Sequence, residues 1–432
     1  MRESSLPAHQ TTTRHLGAAY PFASEPGFGP PGVYIGRDLF GGPFVFDPFD
    51  LYRRGFVTNP NMVVFGQIGR GKSSFVKSYL WRQAAFGRRA WVVDPKGEYG
   101  ALARAAGVRP ITLRPGGDVR LNPLEAPGPA RGSGESDPEP SRRRSELLAA
   151  LASSSLGRAL TPGERAAIDV AVAEVGQRHS RVSAPTIPEV VDALLDPSER
   201  AARELRTDVA SLAAEGRPVA LELRRLVAGD LRGMFDGPTS PGVQLDGPLV
   251  VLDLSAVYRS AALGILMTCA AAWLHSLLTE PGASDGSEPA LLVVDEAWAI
   301  LANVGVARWL QSVWKLSRAL GVANIAVLHR ISDLEAAGAA GSEQAGIAQG
   351  LLSDSETRVL YAQSHGEVSA AAGLLGLTET EQEILPRLGR AVALWKVGSR
   401  SFLVGHRLSP MERDLVDTDV RMNGSAGIAE GA

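Results

Sequence analysis

The segment Gly66-Gln67-Ile68-Gly69-Arg70-Gly71-Lys72-Ser73 carries the spacing G-x-x-x-x-G-K-[ST]. It follows the apolar run Met62-Val63-Val64-Phe65 and leads into Ser74-Phe75-Val76-Lys77-Ser78-Tyr79-Leu80, an order that reads as strand, Gly-rich turn and helix. The glycines let the backbone curl so that several N–H groups face one phosphate, and the helix N-terminus adds the positive end of its dipole. In such a loop Lys72 reaches the β- and γ-phosphates and the Ser73 hydroxyl binds Mg²⁺. Gly66 through Ser74 are therefore expected to hold a nucleoside triphosphate with its magnesium ion.

A second run, Leu291-Leu292-Val293-Val294-Asp295-Glu296, is apolar until it ends in two carboxylates. At a strand end facing the phosphates, Asp295 would hold Mg²⁺ through water. Glu296 would act as general base on the attacking water. No N-K-x-D guanine-reading tetrapeptide occurs, which favours ATP over GTP. The next strand ends at Leu328-His329-Arg330, where His329 is either a sensor of the γ-phosphate or a hydrogen-bonded core histidine. Arg318, in Lys315-Leu316-Ser317-Arg318, stands at the end of the preceding helix. It reads either as an arginine finger reaching a neighbouring subunit's nucleotide or as a helix-end cation favoured by the dipole, with Arg387 and Arg390 as rival fingers. Asp94-Pro95-Lys96-Gly97-Glu98 ends another strand, where α/β sheets bind ligands; it faces the phosphates or forms an ordinary turn.

The elements that must position these groups follow from the rest of the 432 residues. Continuous apolar strands alternating with helical stretches indicate an α/β protein with a mainly parallel sheet buried on both faces. Residues 1–30 are rich in Pro, Gly, Ser and Thr and are expected to be disordered, as is the tail 419–432. The core is expected in two parts, 31–124 and 241–418. The first opens with a small hairpin between Gly32 and Phe56. Between them, 125–240 reads as an all-helical insertion that begins with a flexible loop, 125–145. Within that loop, Arg142-Arg143-Arg144 reads as a solvated helix start or a phosphate contact. Thr161-Pro162-Gly163-Glu164 and Thr186-Ile187-Pro188-Glu189 carry helix-start signals. A strand is expected near Val108–Leu113, and a long helix up to about Thr279.

Composition narrows the class further. Hydrophobic residues make up 45% and charged residues 21%, as in globular proteins, and the net charge of −3 does not suit a nucleic-acid coat protein. Only five of the 44 basic residues are lysines, a compositional bias. The single cysteine, Cys269, rules out a disulfide framework and reads as a small core residue. The start of the chain lacks the apolar core of a secretory signal. The longest apolar stretch, Ala261–Leu274, is too short to be a transmembrane segment. The expected location is cytoplasmic, with peripheral docking at the inner face of a membrane left open.

Taken together, Gly66–Ser73, Val92-Val93-Asp94-Pro95-Lys96-Gly97-Glu98-Tyr99, Asp295-Glu296-Ala297-Trp298 and Lys315 through Arg330 resemble the FtsK–HerA superfamily of P-loop ATPases. The likeness is greatest to the ATPase domain of conjugative-transfer and type IV secretion ATPases, TraC-like energisers and TraG-like coupling proteins, over about residues 55–410. The resemblance implies a RecA-like P-loop NTPase core and a homo-hexameric ring. It also implies ATP hydrolysis that moves DNA or protein through a channel, with membrane secretion-channel proteins as partners. It assigns Lys72 and Ser73 to phosphate and Mg²⁺, Asp295 to Mg²⁺, Glu296 to the base and Arg318 to the finger position. Where the family commonly has Gln, this chain has His329. The energisers usually carry a large N-terminal domain and the coupling proteins membrane anchors. Here the expectation is a stand-alone ATPase recruited to a channel. Two other readings stand beside it: a cytosolic HerA- or FtsK-like DNA translocase, and a nucleotide-gated scaffold with negligible hydrolysis.

Overall fold

The computed structural model describes residues 27–416 apart from 40–41, 126–138, 180–183, 230–231, 244–246, 259, 261–262, 265, 271–288, 302–303 and 331–342. Eleven strands form one sheet: β1 Val33–Asp38, β2 Pro43–Phe46, β3 Met62–Phe65, β4 Arg89–Asp94, β5 Ile111–Thr112, β6 Leu249–Asp253, β7 Ala290–Val294, β8 Val322–Leu328, β9 Thr357–Tyr361, β10 Val392–Val397 and β11 Arg400–His406. Their order is β2-β1-β11-β10-β9-β3-β8-β7-β4-β6-β5. The seven from β9 to β5 are mutually parallel. The remaining four join through β10 as an antiparallel flank.

The parallel strands are apolar on both faces because both faces are covered. Met62, Val64, Val92, Val251, Leu291, Val293 and Ile325 turn toward the helix Lys72–Ala84, which presents Phe75, Val76, Tyr79 and Leu80. Val63, Phe65, Trp91, Val93, Leu252, Leu292 and Val294 turn the other way. There they meet Leu310 and Trp314 of the helix Val304–Leu320 and one continuous core with Leu148, Leu151, Ile168, Val190, Val219 and Leu223. Those last residues lie on the helices Glu139–Leu156, Pro162–Arg178, Ile187–Leu195 and Val209–Ala228, which fall between β5 and β6 in the chain. The helical segment thus shares the sheet's core instead of building a second one. Thr161 and Thr186 each form a capping box with the glutamate three residues on, as their sequences predict.

Three local expectations change. Residues 139–145, expected in the flexible loop, belong to the helix Glu139–Leu156, and Arg144 Nε donates to the Leu124 carbonyl at 2.8 Å near its start. Phe28, expected in a disordered segment, is buried with its ring 5.5 Å from Phe56 and 5.1 Å from Phe402. An aromatic cluster recruits a chain that its polar neighbours would leave loose. The strand near Val108–Leu113 shortens to Ile111–Thr112. The helix expected up to Thr279 is seen at 263–264 and 266–270, with the rest outside the described residues; so are residues 1–26 and the tail 419–432. Among the described residues no helix is long and apolar enough to cross a membrane.

One buried polar residue sets the register at the start of β3. Asn61 Oδ1 accepts from the backbone N–H and side-chain amide of Asn324, at 3.1 and 3.0 Å. Its own amide donates to the Trp314 and Asp354 carbonyls, each at 3.2 Å. β3, β8, the helix before β8 and the turn before β9 are thereby locked together at one edge of the sheet, and the opposite edge is left to carry the chemistry.

Candidate active site

Every parallel strand delivers its C-terminal end to the same edge. There β3 runs into Gly66, β8 into His329, β7 into Asp295 and Glu296, and β4 ends at Asp94. Only β8 separates β3 from β7, so the Gly-rich loop and the carboxylate pair stand about 10 Å apart, two interstrand steps.

The loop's glycines are there for space and for backbone angle. Gly69 and Gly71 have φ of 77° and 109°, which L side chains resist. A Cβ on Gly66 would lie 2.5 Å from Tyr361 Cβ. Gly71 is the N-cap of the helix Lys72–Ala84 and has no side chain to satisfy the first N–H groups, which stay directed at whatever enters the loop. Lys72 is buried and turned back on its own loop, donating to the carbonyls of Gly66 and, at 3.1 Å, of Gln67. Arg70 bonds Gln67 Oε1 at 3.2 Å, Ile68 is exposed at the tip, and Ser73 and Ser74 are half-buried in the first helical turn.

The carboxylate pair is held under tension. Glu296 has φ 54°, left-handed backbone for a non-glycine residue, a conformation that costs about 1–3 kcal/mol and persists only where its surroundings enforce it. Enforcement comes from both neighbouring strands: Asp295 N–H donates to the Val93 carbonyl at 3.2 Å and Ala297 N–H to the Val327 carbonyl at 3.0 Å. The twist throws Asp295 and Glu296 in different directions. Asp295 is buried beside the Tyr99 hydroxyl, which donates to it at 3.2 Å. Burial, with Glu296, Asp94 and Glu98 adding negative charge, pushes the Asp295 carboxyl up to about 7. Asp94 is raised to about 6 by burial, although it accepts backbone N–H bonds from Gly97 and Tyr99, both at 2.9 Å.

Glu296 goes the other way. Burial pushes its carboxyl up, but hydrogen bonds from His329 and Lys96 override that and hold it down at about 2. Oε1 lies 2.7 Å from His329 Nε2 and pairs with Lys96 Nζ, while Oε2 accepts from the Trp298 indole at 2.6 Å. His329 and Lys96 approach from β8 and β4, on either side of β7.

Two residues at this edge, Lys77 and Gln363, were not legible as site residues. Lys77, a turn beyond Lys72, is fully buried, lies 3.7 Å from Glu98 and is lowered by burial against the pull of Glu98, Asp94 and Asp295. Gln363, just after β9, donates to the His329 carbonyl at 3.0 Å and keeps a buried Oε1 without a hydrogen-bond partner. His329 Nδ1 is buried and unpartnered as well. The signal that could have found Gln363 is its place directly after an apolar strand, Thr357–Tyr361; nothing in the helical spacing of Lys77 marks it as interior.

The arginines part company. Arg390 precedes Ala391, whose N–H donates to the Arg70 carbonyl at 2.9 Å, so it stands against its own phosphate loop; Arg387 closes the short helix before it. Arg318 is exposed near the start of β8, where Gly321 N–H bonds the Arg318 carbonyl and the Gly321 carbonyl accepts from Ala290, the first residue of β7. The length of a strand separates Arg318 from Asp295 of the same chain, about 17 Å.

The residues fit a magnesium-bound triphosphate. The loop curls through positive φ at Gly69 and Gly71 and leaves the first helical N–H groups uncapped, and Ser73 and Asp295 supply the hard oxygen donors magnesium takes. The unpartnered His329 Nδ1 and Gln363 Oε1 lie at the ends of the strands flanking β3.

Solved structures with this fold exist. VirB4 of Thermoanaerobacter pseudethanolicus matches with a TM-score of 0.69 at 24% identity, over 90% of this chain and all 100% of that one. Plasmid coupling protein TrwB in complex with ADP and Mg²⁺ matches at 0.55 and 16% identity, over 91% of this chain and 92% of that chain. TrwB with the non-hydrolysable ATP analogue ADPNP gives 0.54 and 16%, with the same coverage. No protein-family model matches the chain, and no curated protein does. The α/β fold is therefore the RecA-like P-loop NTPase core with a mainly parallel sheet.

Proposed function

We propose that this chain is an ATP-hydrolysing motor of the type IV secretion and conjugation kind, energising the transfer of DNA or protein through a channel. The observation that carries the reading is the meeting, at one sheet edge, of Gly66–Ser73 with His329 from the adjacent strand β8 and Asp295 and Glu296 from β7 beyond it. The likeness to VirB4 and TrwB over nine-tenths of the chain supports the kind of machine. As the family resemblance implies, the working form is a homo-hexamer docked from the cytoplasm on membrane channel proteins.

Lys72 leaves its two loop carbonyls for the β- and γ-phosphates, and the loop N–H groups take the remaining oxygens. Ser73 and Asp295 would hold the magnesium ion, which would supply positive charge to the phosphate oxygens. Glu296 accepts a proton from water as the water oxygen bonds to the γ-phosphorus. The bond from that phosphorus to the β,γ-bridging oxygen breaks, and its electron pair leaves on ADP. His329 holds Glu296 and reports on the phosphate beside it. Arg318 works on the neighbouring subunit's nucleotide, since its own site lies across the sheet.

Substitution of Glu296 tests the assignment. Glu296→Gln should retain ATP binding while turnover falls about a hundred- to ten-thousand-fold, the range for losing a general base. Unchanged turnover removes Glu296 from the mechanism and, with it, the case for hydrolysis over a nucleotide-gated scaffold.

A further inference from the structure

Glu296 is engaged on both oxygens. Its Oε1 is taken by Lys96 and His329 and its Oε2 accepts from the Trp298 indole, so three of its roughly four acceptor sites are occupied by protein donors. A carboxylate paired in this way is a weak base, and some partner must let go before it can take a proton. The three partners differ in freedom. Trp298 is two residues away on the same turn. The carbonyl of His329 is tied to Gln363. Lys96 has the longest and most flexible stem of the three, set on a fixed root. Asp94 Oδ1 accepts the backbone N–H groups of Lys96 and Gly97, at 3.2 and 2.9 Å, while the Lys96 side chain is 27% exposed against 3% for Glu296. The ammonium also lies 3.3 Å from His329 Nε2, at the end of β8, the strand next to the phosphate loop.

We propose that Lys96 is a gate on Glu296. Without a triphosphate it holds the carboxylate; when a γ-phosphate arrives, the ammonium transfers to that more highly charged oxygen cluster and Glu296 is released. This inference rests on the nucleotide-hydrolysis reading above. It gives the turn Asp94–Glu98 a function of its own: to place one cation where it must choose between an acidic side chain and the substrate. Lys96 thereby becomes a second discriminator of ATP from ADP, independent of Lys72, because ADP offers no γ-phosphate to draw it away. It also couples hydrolysis competence to the presence of the complete substrate.

A competition between Glu296 and the γ-phosphate for one ammonium has a thermodynamic signature. The full-length chain, with Mg²⁺, is titrated with ATP and with ADP in four forms: wild type, Glu296→Gln, Lys96→Met and the double variant. Glu296→Gln frees Lys96, so ATP should bind about tenfold more tightly and ADP within about twofold of wild type, the scale of one charge-assisted hydrogen bond. Lys96→Met should weaken ATP about tenfold and spare ADP. In the double variant the gain from Glu296→Gln should vanish. ADP affinity serves as the control for folding, and Lys96→Gln replaces Lys96→Met in the cycle where that control fails. If the double variant keeps the full gain, the two substitutions add independently and Lys96 is no gate. That outcome leaves hydrolysis itself standing. A wild type that binds neither nucleotide overturns the hydrolysis reading and the gate together.

Discussion

The parallel strands and the antiparallel flank belong to one sheet, yet they treat buried charge in opposite ways. On the flank, Arg82 meets Glu412 through two hydrogen bonds of 2.6 and 2.7 Å and also donates to backbone carbonyls of β1 and of Arg407. Lys396 bonds both oxygens of Glu381, at 2.9 and 2.8 Å, and Glu381 also takes the Ser401 hydroxyl at 2.6 Å. These are closed networks. At the phosphate edge, Lys77 Nζ, His329 Nδ1 and Gln363 Oε1 are buried without hydrogen-bond partners, two aspartates are pushed toward neutrality, and Glu296 sits in strained backbone. Buried polar atoms without partners are expensive, and three of the nine such side-chain atoms among the described residues gather at this one edge, where a substrate can satisfy them. The flank is built to hold and the phosphate edge to be completed.

The comparison breaks most easily at Arg318, because it claims that completion comes partly from another copy of the chain. Arg318→Ala should lower turnover of assembled rings about a thousand-fold or more, the size of an arginine finger, and leave ATP binding in place. Mixing that variant with Lys72→Ala should recover activity, since an intact loop then meets an intact Arg318 at some interfaces. Mixtures as inactive as either parent would confine catalysis to one subunit and return attention to Arg390, which stands at its own loop.

Much of the phosphate edge was readable because its pieces are local. A strand, a Gly-rich turn and a helix are contiguous between Met62 and Ala84, and Asp295-Glu296 ends an apolar run. What was not readable is pairwise and distant. The Lys96–Glu296 pair joins positions two hundred apart, and it depends on β4 lying directly beside β7. Nothing in the sequence marks Lys77 as interior, yet it is fully buried where Glu98, Asp94 and Asp295 converge. The flank was harder still. Its hairpin was expected, but that β1 pairs with β11 is a register between distant parts of the chain, which no periodicity encodes.

A smaller effect should separate the regions by where stability is lost. Arg82 is 16% and Glu412 5% exposed at the side chain, so Arg82→Ala leaves a buried carboxylate without its cation, a loss of about 3–5 kcal/mol. Denaturant unfolding should show the midpoint fall at unchanged slope, while turnover of the folded fraction stays within about twofold. A large drop in turnover with little change in midpoint would make the flank part of the catalytic apparatus and erase the distinction drawn here.

The smallest test acts where the regions touch. His406, at the end of β11, lies 2.8 Å from Ser78 Oγ on the phosphate-loop helix, with the Phe75 ring 5.7 Å away. Burial, with the Arg82 charge adding and Glu412 opposing, pulls its imidazole down from 6.5 to about 4. The unfolded chain therefore binds the extra proton first as pH falls. Stability is complete above about 6.5 and declines as pH drops toward 4, by about 1.4 kcal/mol per pH unit and about 3 kcal/mol in all. Asp295 carries the opposite sign: its folded value near 7 exceeds the ordinary 3.8, so ionising it costs stability as pH rises through that window, and acid relieves it. Net pH dependence mixes the two, but the difference between wild type and His406→Gln isolates the flank, since Gln can still bond Ser78 and cannot charge. Unfolding free energies of the two proteins should stay parallel above about pH 6.5 and diverge below it, with wild type losing more. Parallel curves down to pH 4 would mean that the histidine charges inside the fold, and that the junction between the two regions is far wetter than its packing against Phe75 implies.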